Sequence, residues 1–473
     1  MKRARLIPVS ALAVLAGTLA LLVALHRSRA VTNGTVLEGP GGAGDQTSNK
    51  ETALPRPHHG VIIGLTFSPD YRRIAYATGS RNEGLVVVDG VDGKLYDSVS
   101  DIAFSPDGKG VVYSAWMSGT QLIVVNGVAM NGRYPHFSPD GKRLAFQGTG
   151  GPHSVLAKGV ECIQTPGFSA GFSPDSKRLA FVRERNGENL VVVDGVEGKA
   201  YSSVMDLIFS PDSKRVAYAG SRSEKWVVVV DGSETSQEGT TPPEHLAFSP
   251  DSRRLAYVGH RHRGDEMFVV VDGVEGMVHK GYRALDLVFS PNSKRLAYSM
   301  FVERNYPSVF TIYSVHSVVV DGTQGTEYED VDGLVFSPDS EHTAYSAQHL
   351  VVGKTGKKMV VVDGVAGREY DDVGHPVFSP DGKRMAYAAA LGGSRFVVVD
   401  GAEGTGYANV GKPYFSPDGK HVAYVAKRGE NMFVVVDGVE GKAFDDFPTL
   451  PPEHPMDVRY TDAVLWHTYP PCF

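Results

Sequence analysis

A chain of 473 residues, 42% hydrophobic and carrying 54 glycines and 28 prolines, can bury a large core and is rich in turn formers, as an all-β protein is. Its net charge of -7 gives no global reason to expect nucleic acid as a partner, because phosphate affinity depends on clustered Lys and Arg. Two cysteines, Cys162 and Cys472, make neither a disulfide framework nor a metal site of the usual spacing, and leave open whether they pair.

Lys2, Arg3 and Arg5 precede an apolar run from Leu6 to Leu25, which His26, Arg27 and Arg29 close. Residues 1–30 therefore read as a signal peptide, cleaved after a site such as Ser28-Arg29-Ala30, or as a membrane anchor, since the run is about the 20 residues that span a bilayer. No cysteine follows the run, so a lipoprotein anchor is not supported. Both readings place the rest of the chain outside the cytoplasm, periplasmic or secreted, with a membrane reached only through this segment. Residues 31–59, rich in Gly, Thr, Ser and Pro, form a flexible linker. Asn33-Gly34-Thr35 within it fits a glycosylation acceptor, which matters only in a eukaryotic secretory pathway.

From residue 60 to 447 one unit recurs, seen clearly in Phe172 to Tyr201, FSPDSKRLAFVRERNGENLVVVDGVEGKAY. Runs such as LAF and LVVV are too short for helices and read as strands buried on both faces. Ser-Pro-Asp-Ser supplies one tight turn and Asp194-Gly195 a second, giving a four-stranded antiparallel sheet. Ten anchor phenylalanines mark the copies: Phe67, Phe104, Phe137, Phe172, Phe209, Phe248, Phe289, Phe336, Phe378 and Phe415, spaced 33 to 47 residues apart. The Asp-Gly turn becomes Asn126-Gly127 in unit two and is missing from unit three, which carries VLAKGVECI. A period of this length with four strands is a propeller signature, because one sheet cannot bury its faces alone.

FSPDSKRLAF and FSPDGKRMAY resemble the WD40-like repeats of the TolB-type β-propeller family, also found in the propellers of prolyl-oligopeptidase-like enzymes. The resemblance covers nearly all of residues 60–447 and implies an all-β propeller of ten four-stranded repeats, as one large ring or two tandem five-bladed rings. It also implies a protein-binding or substrate-gating role outside the cytoplasm, which fold alone does not settle. Pro242-Pro243-Glu244-His245 after unit five is echoed by Pro452-Glu453-His454, a hint of a midpoint. The repeat rhythm nevertheless continues across residue 242 without a linker. The tail, 448–473, reads as a closing hairpin.

The chain alternates ends of each sheet, so the Ser-Pro-Asp and Asp-Gly turns share one face. The variable loops share the other, where binding residues tend to sit. Those loops carry Arg81, Arg183, Arg185, Arg222, Lys225, Arg261, Arg263, Arg304, Lys354, Lys357, Lys358, Arg395, Lys427 and Arg428, with fewer acids among them. Their summed field would attract an anionic partner, although ordinary solvated loops are the simpler account. Three positions before each anchor stand Asp101, Tyr134, Asp206, His245, Asp286, His375 and Lys412. If first strands line the axis, these form a polar ligand-binding ring at the channel mouth.

Enzyme motifs are weak. Gly167-Phe168-Ser169-Ala170-Gly171 matches a hydrolase elbow, but that motif needs a following helix and this one runs into a strand. His260, His262 and Asp265 in a basic loop make a poor cation site, Arg263-Gly264-Asp265 reads as an accidental tripeptide, and Asp89 and Asp92 lack the ligand count of a calcium loop. No catalytic residue, metal or cofactor is assigned. The expected function is binding, with the loops presented to a protein, a peptide or an anionic envelope polymer. The competing reading is a hydrolase- or lyase-type enzyme at the channel mouth, with His245, His375 and neighbouring aspartates as acid or base. A structural array with no small ligand is a third.

Overall fold

The computed structural model describes residues 61–80, 83–148, 153–165, 168–235, 241–261, 265–306, 311–351 and 355–445. The export segment, the linker, Cys472, the Pro452-Glu453-His454 echo and the tail lie outside them. Among the described residues there is no helix, and the strands assemble into ten antiparallel sheets, one for each anchor phenylalanine. Packing gathers them into two compact units: residues up to 149 with 154–163 hold repeats one to three, and 164–445 hold repeats four to ten.

Repeat four illustrates the rule. Its second and third strands, Leu179–Arg185 and Glu188–Val193, are buried over consecutive residues instead of alternating, because neighbouring sheets cover both of their faces. The fourth strand, Val196–Tyr201, is an exposed outer edge except at Tyr201. Hydrophobic core therefore lies between sheets: Val182, Val191 and Tyr201 of repeat four meet Val204, Val216, Tyr218 and Val229 of repeat five.

The repeated serine and aspartate are turn braces. Ser173 Oγ donates to Asp175 Oδ1 at 2.7 Å, that oxygen also accepts from Lys177 N–H at 3.1 Å, and Arg178 N–H closes the turn on Ser173 Oγ at 2.9 Å. The Ser173 hydroxyl accordingly holds the Asp175 carboxyl below the usual carboxylate range. At the second turn Asp194 has φ 52 and Gly195 φ 84, both left-handed, and Leu179 N–H is tied to Asp194 Oδ1 at 3.0 Å.

Contacts between repeats recur as faithfully. Arg178 Nε donates to Asp194 Oδ2, its Nη1 reaches the carbonyls of Ser213 and Lys214 in the next repeat, and its guanidinium covers the next anchor, Phe209, 5.3 Å from the ring centre. Arg73, Arg215, Arg254, Arg295 and Arg384 do the same in their repeats. Tyr201 and Tyr218 add an edge-to-face ring contact, repeated at Tyr96–Tyr113, Tyr328–Tyr345, Tyr370–Tyr387 and Tyr407–Tyr424. Repeat two has Gly110 where the arginine belongs, and there Asn126 compensates. Its Oδ1 accepts from Val111 N–H as the aspartate would, while its Nδ2 faces the Ala157 and Lys158 carbonyls of repeat three at 3.4 Å.

Repeat three departs from the expected strand order. Its sheet runs Arg133–Phe137, Arg143–Gln147, Val160–Thr165, His153–Ala157, so the last two strands exchange places. Val160 and Cys162 are buried against Leu144 and Phe146, whereas Leu156 on the preceding strand is left at the edge, exposed. The strand with more to bury takes the inner place.

Candidate functional site

The position three before each anchor is a break in the first strand. In repeats two, five and six the ladder slips between Ser100 and Ala103, Met205 and Ile208, and Glu244 and Ala247. Asp101, Tyr134, Asp206 and His245 have φ 53, 55, 52 and 56, and Gly333 at the same place in repeat eight has φ 67. A bulge of this kind re-aims its side chain, and non-glycine residues held at positive φ gather at functional positions. In repeats nine and ten Pro376 and Pro413 remove a ladder donor, so the first strand splits into Asp372–Val373 and Val377–Phe378, and into Asn409–Val410 and Tyr414–Phe415. His375 and Lys412 stand in those gaps.

Asp101 and Tyr134 belong to the unit of repeats one to three, where Asp101 accepts from Ser100 Oγ at 2.8 Å and Tyr134 lies under the Arg133 guanidinium. The other five belong to the second unit. Asp286 accepts from Ser299 Oγ at 2.9 Å, and His375 rests on Gly333 with its Nε2 3.4 Å from Asp332 Oδ2.

Asp206 and His245 come together in a cleft of about 390 Å³ between the first strands of repeats five (Ser203–Phe209) and six (Glu244–Phe248). Met205, Ile208, Leu246, Pro242 and Pro243 form its apolar walls, and Asp206, Glu244 and His245 are its polar groups. Asp206 is an exposed residue of the lining, yet neighbouring atoms displace part of its hydration. That desolvation raises its pKa; the His245 charge opposes the shift and the Glu244 charge adds to it. Behind Glu244 stands His260, its side chain 6% exposed, Nε2 3.5 Å from Glu244 Oε2 and neither ring nitrogen hydrogen-bonded. The run Pro242–His245, which the sequence offers as a hint of a midpoint, thus lines the cleft. The apolar lining was missed because its residues look like ordinary strand positions.

The basic loops are not an open positive field. Arg183 and Arg185 both bind Glu197, Arg222 lies 3.6 Å from Glu234, Arg261 pairs with Glu275, Arg304 with Glu327 and Arg428 with Glu440. Lys357 pairs with Asp371, and Lys358 and Arg395 share Asp372. The glutamates sit on the fourth strands, and Asp371 and Asp372 at the start of repeat nine's first strand, beside the loop in space though remote from it in sequence, so most of these cations are neutralised locally. Arg81, Arg263 and Lys354 lie outside the described residues.

The remaining motifs resolve simply. Phe168–Phe172 is the first strand of repeat four, with no helix after it, so no nucleophile elbow forms. His260 sits buried in the second strand of repeat six, Leu255–Arg261, not in a loop; His262, Arg263 and Gly264 lie outside the described residues. Asp89 accepts from Arg73 Nε and Ile74 N–H, a latch and not a cation ligand. Among the described residues no three His, Cys, Asp or Glu side chains converge as metal ligands, and no helix is long and apolar enough to cross a membrane.

Ten four-stranded sheets of this pattern define an all-β propeller protein. No family model matches the chain, nor does any curated protein. Solved structures do. A eukaryotic initiation factor matches at 12% identity over 81% of this chain and 90% of its own, TM-score 0.40. The β-propeller domain of the Trilobed protease from Pyrococcus furiosus matches at 14% over 58% and 95%, TM-score 0.28, and TolB from Acinetobacter baumannii at 14% over 56% and 80%, TM-score 0.21.

Proposed function

We propose that the chain is an exported, non-catalytic binding propeller that engages a protein or peptide at the mouth-end cleft of repeats five and six. The observation that carries the reading is the cleft itself, where five apolar residues surround three polar ones. The latch and turn residues recur in repeat after repeat and serve the scaffold, whereas among the described residues a Pro-Pro pair such as Pro242-Pro243 occurs at this junction alone. Export rests on the basic, apolar, basic order of residues 1–30.

A second reading has its own support. A carboxyl with a raised pKa beside a second carboxylate and a histidine is the arrangement of an acid–base pair, which favours a hydrolase or lyase acting there. Affinity capture from a cell-envelope extract separates the two. The wild-type chain should retain a partner that Met205→Lys loses, since Met205 is 48% exposed on the cleft wall and its replacement spares the core. Equal capture by both would overturn the cleft as the binding surface. Turnover of an envelope polymer or peptide that Asp206→Asn abolishes would establish the enzyme instead.

A further inference from the structure

We propose that the cleft between repeats five and six receives a cationic side chain of a partner peptide, a lysine or arginine carried beside an apolar residue. The inference rests on the binding reading and adds the chemistry of the ligand.

Charge is left over in this cleft. The acids beside the basic loops, Glu197, Glu234, Glu275, Glu327, Glu440, Asp371 and Asp372, each meet one or two arginines or lysines, and the first-strand acids Asp101 and Asp286 lie singly against a serine. Asp206 and Glu244 together line one small cleft with no lysine or arginine in its wall, and the Glu244 charge makes that of Asp206 less favourable. His245 is the one basic residue lining it. Negative charge held in a partly desolvated place calls for a cation.

An independent observation is His260. It is more than nine-tenths buried, makes no hydrogen bond through either nitrogen, and holds Nε2 3.5 Å from Oε2 of Glu244, a carboxylate of the cleft. Such an unpaired buried group is costly unless something completes its surroundings. A cation drawing Glu244 into a fixed position would align the carboxylate with His260 and give that nitrogen its partner. The apolar share of the cleft fits the same ligand: Met205, Ile208 and Leu246 offer contact to the methylene stem of a long basic side chain and to an apolar neighbour. An anionic ligand meets two carboxylates, and a metal ion lacks a converging set of three ligands among the described residues.

Calorimetric titration of the full chain with an acetylated, amidated Leu-Lys-Leu tripeptide, and with its norleucine-centred isostere, tests this. The lysine peptide should bind at least about tenfold more tightly, and added salt should erode the advantage. Asp206→Asn and Glu244→Gln should each remove most of it; asparagine tolerates positive φ, so the first variant keeps its backbone, and the second alters an exposed residue. Equal affinity for the two peptides, or a lysine advantage untouched by both variants, would overturn the inference. Capture of an envelope partner that Met205→Lys abolishes, with no lysine preference in the titration, would refute the cationic ligand while leaving the binding reading in place.

Discussion

Arg178 and Asp194 are held 2.7 Å apart, and the same guanidinium donates to two carbonyls of the following repeat. One side chain thus closes its own repeat and joins the next, work that a fork of donors can do and a point charge cannot. The pair is partly exposed, with side chains 29% and 42% accessible, so its ionic share is small and the carbonyl bonds and the cover over Phe209 matter more. Arg178→Ala should lower stability by about 1–3 kcal/mol, and Arg178→Lys should recover only part of the loss. Urea unfolding, read as a midpoint shift at constant slope, decides it. A change below about 0.3 kcal/mol in both variants would mean that the latch contributes nothing.

Phe209 lies beneath that guanidinium and packs, partly buried, against the cluster that joins repeats four and five, which includes Val216 and Val229. The anchor thus sits between repeats, its ring covered by the preceding repeat's arginine and not fully enclosed. Phe209→Ala should cost about 3 kcal/mol, at the lower end for a buried phenylalanine. Combined with Arg178→Ala, the losses should sum to less than their total, since each removes the other's contact. Strict additivity in a double-mutant cycle would break the assigned contact.

A serine at positive φ separates strain from contact. Ser213 has φ 66, and its Oγ accepts from Asp175 N–H of the previous repeat at 2.9 Å. Gly108, Gly141, Gly382 and Gly419 hold the same place in other repeats, so the conformation is satisfied there without a hydroxyl. Ser213→Gly relieves the backbone and loses the bond, and should change stability by less than about 1 kcal/mol. Ser213→Ala loses the bond and keeps the strain, and should be clearly worse. If denaturation ranks alanine above glycine, the left-handed backbone at this position carries no strain.

The repeat made the strands, the turns and their common face legible, because Ser-Pro-Asp and Asp-Gly act within a few residues of themselves. Arg178 recurs just as plainly, yet nothing in a periodic sequence says whether its partner is in its own repeat or the next. Arg183 and Glu197 show the same limit: an acid on the far strand neutralises the loop, and reading the loop alone counts an unmet positive charge. Asp206 and His245 were singled out from the strand position they share. Their bulges, the walls around them and His260 behind them arise only when two repeats are set side by side.

Gly333 tests how closely the bulge of repeat eight is built. A Cβ there would stand 2.2 Å from His375 Nδ1, and the residue's φ of 67 disfavours any side chain. Gly333→Ala should therefore lower the melting temperature by a few degrees and push His375 away from Asp332. The imidazole resonances of His375 should move with it. An unchanged spectrum in a folded variant would mean that the two residues are not in contact.

Repeat eight replaces the latch arginine with His342, whose Nδ1 donates to Asp363 Oδ2 at 2.7 Å. That bond, assisted by the Asp363 charge, raises the His342 pKa above its ordinary value, against a smaller opposing effect of burial. A group whose pKa is higher folded than unfolded contributes its full stability below the unfolded value, about 6.5, and loses it as pH rises through the folded one. Repeat eight is thus closed on itself by a contact that weakens in mild alkali, where the arginine repeats stay charged. His342→Arg should leave stability little changed at pH 6 and raise it relative to wild type at pH 8.5, with the difference growing across that interval. Paired urea titrations of the two chains at several pH values read that difference free of all other titrating groups. A constant difference from pH 6 to 8.5 would show that His342 carries no linked proton in this latch.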